Sequence, residues 1–287
     1  MVVTKLTGGL GNQMFQYAAG RILSLNFNAE LYLDVTEYAK VKMHNGYELG
    51  KFCIQENIFK RDIYDIAYLK NEKIYRLLNK IKKSKFNYYK EKNYFVYDEG
   101  LAKATTPAYL DGYWQSYRYL DFHKSQLLKD FEFRTQPNEK NQNLINRMGE
   151  ISSVAVHIRR GDYLSNKEYS RVHNVLELDY YDDAFKLLKN KISDPQFYIF
   201  SDDIDWAKEN ISIDSKCTFI HNPKESSIED LRLMKSCKHN IIANSTFSWW
   251  GAWLNSHPNK IVIAPKKWLK TNLEQNSDLI PKEWMRI

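Results

Sequence analysis

The chain has 287 residues, 43% of them hydrophobic and 27% charged, so it holds enough apolar material for a folded core and disorder is excluded as the default. Lys and Arg number 42 against 35 Asp and Glu, a net charge of +7, which admits a nucleic acid, an anionic membrane surface or a phosphorylated substrate as partner. The charge is dispersed and no nucleic-acid motif accompanies it, so a phosphorylated small molecule is favoured, with at most weak attraction to a membrane surface.

Cys53, Cys217 and Cys237 form no C-x-x-C pair, which argues against a disulfide framework or a zinc site. Reduced, buried thiols in the cytoplasm are expected. No apolar run is long enough to span a bilayer, and no signal-type run opens the chain.

Val2 to Leu6 reads as a strand, Gly8 to Gln13 as a tight glycine turn, and Gln13 to Asn26 as a helix with Met14, Phe15, Ala18, Ile22 and Leu25 on one stripe. Leu31-Tyr32-Leu33-Asp34 follows as a second strand. Strand, glycine turn, helix and strand-terminal acid nearly make a dinucleotide fingerprint. It fails at Met14, where close packing calls for Gly or Ala. The functional reading puts Gly11, Asn12 and Gln13 against a ligand at a helix start. The alternative is a turn that needs glycine only for its backbone conformation.

Residues 71–92 are rich in Lys and Tyr and read as a solvated helix face, with a membrane-surface helix as the alternative. Tyr109 to Ser116 mixes aromatic and polar residues; Trp114 and Gln115 are read as core, and second as part of an acceptor pocket. The polar, proline-containing stretch Thr135 to Asn143 reads as a linker or helix entry. The domain division is set at 1–148 and 149–287.

The second half alternates strands and helices. Val154-Ala155-Val156-His157-Ile158 is a short apolar strand that runs straight into Arg159-Arg160-Gly161-Asp162. A helix is expected from Asp179 to Lys191, and a strand at Phe197 to Phe200 that ends in Ser201-Asp202-Asp203. A helix to Asn210, a strand at Thr218 to Ile220 and a helix from Ser226 to Cys237 follow. Asn240 to Ala243 is a strand ending in Asn244-Ser245-Thr246-Phe247-Ser248, Trp249 to Leu254 opens a helix, and Ile261 to Ile263 is a last strand. Such βαβ units imply a parallel sheet covered on both faces.

In a parallel sheet the polar strand ends share one edge, where open α/β folds bind ligands. Arg159 and Arg160, beside His157, suit a diphosphate, because the guanidinium fork binds phosphate bidentately and never loses its charge. Ser245, Thr246, Ser248 and the N–H groups opening the Trp249 helix add anion-binding donors. Asp202 or Asp203 would accept from a ribose hydroxyl or a base. Asp203-x-Asp205 resembles a metal-binding pair, but arginine already supplies positive charge there, and no metal is expected. Trp249, Trp250 and Trp253 at helical spacing read as core.

Gly8-Gly9-Leu10-Gly11-Asn12-Gln13-Met14-Phe15-Gln16-Tyr17, His157-Ile158-Arg159-Arg160-Gly161-Asp162, Phe200-Ser201-Asp202-Asp203 and Asn244-Ser245-Thr246-Phe247-Ser248-Trp249-Trp250-Gly251-Ala252-Trp253 together resemble the α-1,2-fucosyltransferases of glycosyltransferase family eleven. The absence of a membrane anchor is similar to the bacterial members, which act in the cytoplasm on cell-surface polysaccharide precursors such as O-antigen. The resemblance implies a GT-B-like α/β fold, two Rossmann-type domains with mainly parallel sheets facing a central cleft. The first domain would face the acceptor and the second the donor, with the last helix packing back on the first. It also implies GDP-L-fucose as donor, a galactose-terminated acceptor, inversion at the anomeric carbon and no cofactor or essential metal. On this resemblance Arg159 contacts the diphosphate, and Asp203 and Asp230 help hold the nucleoside.

Inverting transfer needs a group to take the acceptor proton. Asp162 is the first candidate and Asn12, as an orienting group, the second. Two competing readings are a nicotinamide-dependent oxidoreductase using Gly9, Gly11 and Asp34, and a non-enzymatic basic module. The first leaves both arginines and the Ser245 to Ser248 turn without a role.

Overall fold

The computed structural model describes residues 1–39, 45–60, 86–161, 175–223, 226–270 and 277–287. They divide into two compact units, Met1–Arg134 and Thr135–Ile287.

The first unit is built on a parallel sheet of β1 (Val2–Lys5), β2 (Leu31–Asp34), β3 (Asn87–Lys90) and β4 (Ala108–Asp111), in the order β2-β1-β4-β3. The long helix α1 (Leu10–Asn26) packs on β1 and β2. Short helices follow: α2 (Glu99–Ala102), α3 (Tyr117–Leu120) and α4 (Lys124–Asp130). One face of the sheet carries Val3, Phe59, Phe86 and Tyr109. Helix α1 begins at Leu10, inside the glycine turn, because Gly8 supplies the left-handed turn at φ +77° that reverses the chain out of β1.

Two strands here carry no clear signal in sequence. Ala108–Asp111 pairs directly with β1, in a stretch that the sequence shows only as a mixture of aromatic and polar residues. Asn87–Lys90, at the end of the Lys- and Tyr-rich run expected to be helical, is a strand that pairs with β4. Alternating side chains on a short edge strand leave too few positions to register a period of two. Residues 71–85 of that run lie outside the described residues.

The second unit opens with α5 (Glu139–Glu150), capped by Asn138, whose side chain accepts the Asn141 N–H. This helix packs on α8 (Ser227–Ser236) within the second unit. Of the two readings of the polar stretch, linker or helix entry, the second is the one seen, and the units part between residues 134 and 135, whereas the sequence division is set at 148. The sheet runs β10-β9-β8-β5-β6-β7, all parallel: β5 (Ser152–Ile158), β6 (Pro195–Ser201), β7 (Cys217–Phe219), β8 (His239–Ile241), β9 (Val262–Ala264) and β10 (Met285–Arg286). Helices α6 (Leu178–Lys189), α7 (Ile204–Asn210) and α9 (Thr246–Leu254) complete the described set. Residues 277–287 end on β10, paired with β9.

Strand periodicity explains this core. Val154, Val156, Ile158, Phe197 and Ile199 face one layer, with Tyr181, Ala184 and Phe185 of α6. Ala155, Tyr198 and Phe200 face the other, with Leu233 and Met234 of α8 and Met148 of α5. A sheet apolar on both sides must be covered on both sides, which fixes the three layers. Trp249, Trp250 and Trp253 are buried; the Trp249 ring lies 5.3 Å from that of Trp284, tilted by 44°, and its indole N–H donates to the Leu279 carbonyl at 2.9 Å. Cys217 and Cys237 fit the expected buried thiols, half and fully buried, but Cys53 is exposed.

Candidate functional site

In the second sheet β5 lies between β8 and β6, and the three strands run in the same direction. Their polar ends therefore share one edge. Ile158 is in register with Ser201, so Arg159 emerges beside Asp202. The His157 ring lies 5.9 Å from that of Phe247, which joins the Asn244 to Ser248 turn to the same edge.

Asp202 organises the cationic turn. Its Oδ2 is 3.2 Å from Arg159 Nη1. Its Oδ1 accepts the Arg160 N–H at 2.9 Å and its Oδ2 the Gly161 N–H at 3.0 Å. A Cβ on residue 161 would meet Asp202 Oδ2 at 3.0 Å, so glycine lets the backbone close onto the carboxylate. Asp202, one of the two acids read as an acceptor for a ribose hydroxyl or a base, thus holds the cationic turn from within, with both carboxylate oxygens engaged.

Arg160 is held differently. Its guanidinium carbon lies 3.6 Å above the Trp206 ring, a cation–π stack, and its Nε is buried without a hydrogen-bond partner among the described residues. Trp206 stands on α7, whose first turn is capped by Asp203: the Asp203 carboxylate accepts the Trp206 N–H at 3.3 Å. Asp205, one helix position earlier, turns to the surface and pairs with Lys208 at 3.4 Å. It does not join Asp203 in a metal-binding pair.

His157 is buried, and burial, seconded by the charge of Arg159, holds its pKa down to about 3. It is neutral at working pH and adds no positive charge beside Arg159 and Arg160. Asp230 follows β7 along the same edge, in the first turn of α8. Burial raises its carboxyl to about 6, against a 2.8 Å hydrogen bond donated by Asn222.

Ser245 caps α9, its hydroxyl accepting the Phe247 N–H at 3.3 Å, while Thr246 remains half-buried at the helix start. Asn244 is buried and donates to the Trp268 carbonyl at 2.9 Å. The Ser248 hydroxyl lies 3.2 Å from the Ser245 carbonyl and 3.4 Å from that of Ala243, so it is engaged by its own helix turn and is no anion donor. Asp162 lies outside the described residues.

In the first unit the glycine turn is internally bonded. Gln13 is fully buried; its amide donates to the carbonyls of Gly8 (3.1 Å) and Gly46 (2.8 Å) and accepts the Glu48 N–H at 2.9 Å. It clamps the turn and does not face a ligand. Gly11 is buried in the first turn of α1. Asn12 is half-buried, and its Oδ1 accepts from the Gln115 amide at 2.8 Å. Asp34 is fully buried and accepts from Thr36 and from the Tyr109 hydroxyl, so it cannot receive a ribose, and the oxidoreductase reading loses its acid.

Sequence reasoning found the arginines and the acids but missed Trp206. A tryptophan in a short helix carries no sign of which cation lies over it.

Among the described residues no helix is long and apolar enough to cross a membrane, and no group of three or more His, Cys, Asp or Glu gathers to hold a metal. In three dimensions the chain resembles the α-1,6-fucosyltransferase NodZ soaked with GDP-fucose (TM-score 0.50, 13% identity, 88% of this chain and 91% of that one). It similarly matches Arabidopsis thaliana FUT1 (TM-score 0.50, 13% identity, 93% and 71%). At these identities the likeness is one of fold: two α/β units with parallel sheets, of the GT-B type. By sequence it is 36% identical to an Escherichia coli α-1,2-colitosyltransferase, across 100% of this chain and 99% of that protein. It is 33% identical to the Escherichia coli O-antigen biosynthesis glycosyltransferase WbnK (98% and 99%), and 27% identical to human galactoside α-(1,2)-fucosyltransferase 1 over half of this chain and 42% of that one. The profile of Glycosyl transferase family 11 matches residues 1–287 throughout, and the chain belongs to that family.

Proposed function

We propose that the protein is an inverting, metal-independent glycosyltransferase that moves L-fucose from GDP-L-fucose to the 2-hydroxyl of a terminal galactose in a polysaccharide precursor. The observation that carries this reading is the turn from Arg159 to Gly161, tied to Asp202 at the sheet edge. As the glycosidic bond breaks, negative charge grows on the β-phosphate and positive charge on the sugar. A guanidinium ~4 Å away is worth about 4 kcal/mol against that charge at an effective dielectric near 20. The Asp202 clamp fixes the guanidinium before reaction, so no reorganisation is needed as charge develops. Asp203 and Asp230 are the proposed nucleoside contacts. Asp162, next in sequence after Gly161, is the proposed proton acceptor, with Asn12 as the alternative orienting group.

The relatives' names support an α-1,2 linkage and O-antigen synthesis. Both fucose and colitose appear among those names, so the donor sugar is the finer question. The net charge of +7 suits work beside an anionic inner membrane surface. The test is incubation with GDP-L-fucose or GDP-colitose and a panel of galactosides, with and without EDTA, with product mass and linkage determined. Transfer from GDP-L-fucose to the galactose 2-hydroxyl in EDTA is the expected result. Preference for GDP-colitose, another linkage, or loss of transfer in EDTA would overturn the corresponding part.

A further inference from the structure

A pocket of about 260 Å³ opens at the carboxyl edge of the first sheet. Its wall is formed where β1, β3 and β4 end, by Lys5, Glu91, Asp111 and Tyr113, together with Tyr94 and with Gln16 of α1. This is the position at which parallel α/β sheets bind ligands.

Gln16 has no exposed surface. Its Oε1 accepts the Thr7 N–H at 2.9 Å, and a backbone N–H can only be met by the carbonyl end of the amide. The amide orientation is therefore fixed, and Nε2 is the end without a hydrogen-bond partner among the described residues. Native structures rarely leave a buried amide donor unmet, so an acceptor brought by a ligand explains it.

The rest of the wall defines that ligand. Asp111 is 3.1 Å from Lys5 Nζ and also accepts from the Tyr88 hydroxyl. Glu91 is held by the N–H groups of Tyr113 (2.7 Å) and Trp114 (3.0 Å), and burial raises its carboxyl to about 7. Lys5 and Lys90 face Asp111 and Glu91 across the wall, so formal charge is balanced inside the pocket and favours neither an anion nor a cation. The Tyr94 and Tyr113 rings, 6.1 Å apart, add a partly apolar face beside the polar groups. Carbohydrates present the matching surface, hydroxyls at the rim and C–H groups on the ring face. The volume falls below the range of about 300–1,000 Å³ that holds drug-sized ligands, and suits a single ring.

We infer that this pocket binds one neutral pyranose unit of the acceptor glycan, with Gln16 Nε2 donating to one of its oxygens. The inference rests on the glycosyl-transfer reading for the ligand's identity.

Two variants test it. Gln16→Glu keeps an acceptor for the Thr7 N–H and exchanges the Nε2 donor for a carboxyl oxygen, at the cost of a buried acid, so its fold is checked separately. Tyr94→Ala alters a side chain that is 55% exposed, so folding is spared. Saturation-transfer NMR with methyl β-D-galactoside, without nucleotide, should show binding to the wild type that both variants weaken. In transfer assays both should raise the acceptor KM at least fivefold while the GDP-fucose KM stays within twofold. A GDP-induced melting shift in each variant verifies the fold. If wild type transfers fucose and the folded variants keep a normal acceptor KM, the pocket assignment is overturned and the transfer reading survives. If the wild type transfers nothing yet binds the galactoside in a Gln16-dependent way, the pocket stands and the transfer reading fails. No saturation transfer from wild type to methyl galactoside, methyl glucoside or N-acetylglucosamine also overturns it.

Discussion

Asp202 meets Arg159 at 3.2 Å and, with the same carboxylate, accepts the N–H groups of the next two residues. One side chain at the end of β6 thereby sets both the charge and the backbone of the turn that ends β5. Asp202→Ala should lower kcat/KM by at least about 10- to 100-fold, the loss expected if only one charge-assisted hydrogen bond of roughly 1.5–3 kcal/mol goes unreplaced. Asp202→Asn should keep part of the clamp and fall between. Steady-state kinetics beside a melting curve would check this; an Asp202→Ala enzyme at full rate would show that the clamp is ornamental.

Arg159→Ala removes the guanidinium proposed to meet the leaving phosphate, and about 4 kcal/mol corresponds to roughly a 10³-fold loss of kcat. Arg159→Lys should recover only part, because an ammonium restores the charge without the fork. Single-turnover rates at saturating donor measure this directly.

Trp206 lies beneath Arg160. Replacing it with Leu should keep the apolar packing of α7 and remove the stack, weakening GDP binding about three- to thirtyfold for a cation–π contact of ~0.5–2 kcal/mol. Calorimetric titration with GDP decides it; unchanged affinity would mean that Arg160 lies off the donor.

The buried His157 and the half-buried Glu91 oppose one another in the pH dependence of stability. His157 has its pKa lowered to about 3, so between the unfolded value near 6.5 and 3 the unfolded chain takes up a proton that the fold refuses. Its contribution is present above pH 6.5 and lost on acidification through that window. Glu91 is raised from 4.5 to about 7, so its contribution is present below pH 4.5 and lost as pH rises to 7. Chemical denaturation across pH 3–8 should give a shallower acid-side decline in His157→Gln and a shallower rise-side decline in Glu91→Gln.

Gln13→Ala should destabilise the first unit by about 2–4 kcal/mol, because three buried hydrogen bonds are lost at once. Activity per folded molecule should survive at low temperature. A Gln13→Ala enzyme of normal melting temperature but low activity would return Gln13 to the ligand.

The central strands of the second half were legible because they carry enough apolar residues to show their period, as Val154 to Ile158 and Phe197 to Phe200 do, whereas the two-residue β10 is too short to show one. Strand β4 was not legible, since Tyr109 and its neighbours mix aromatic and polar residues without a period until β1 is placed beside them. The polar residues at the strand ends were found, but their duties were partly reversed. Gln13, Asp34, Asp202 and Ser248 all answer to partners inside the fold.

The sequence alone determined the family, the strand–helix alternation and the edge at which arginine and aspartate gather, since those depend on local period and on motif. Only the tertiary structure decided which polar groups remain available to a ligand. Asp202 reaches Arg160 across 42 residues, and that meeting depends on strand register, which no local pattern records.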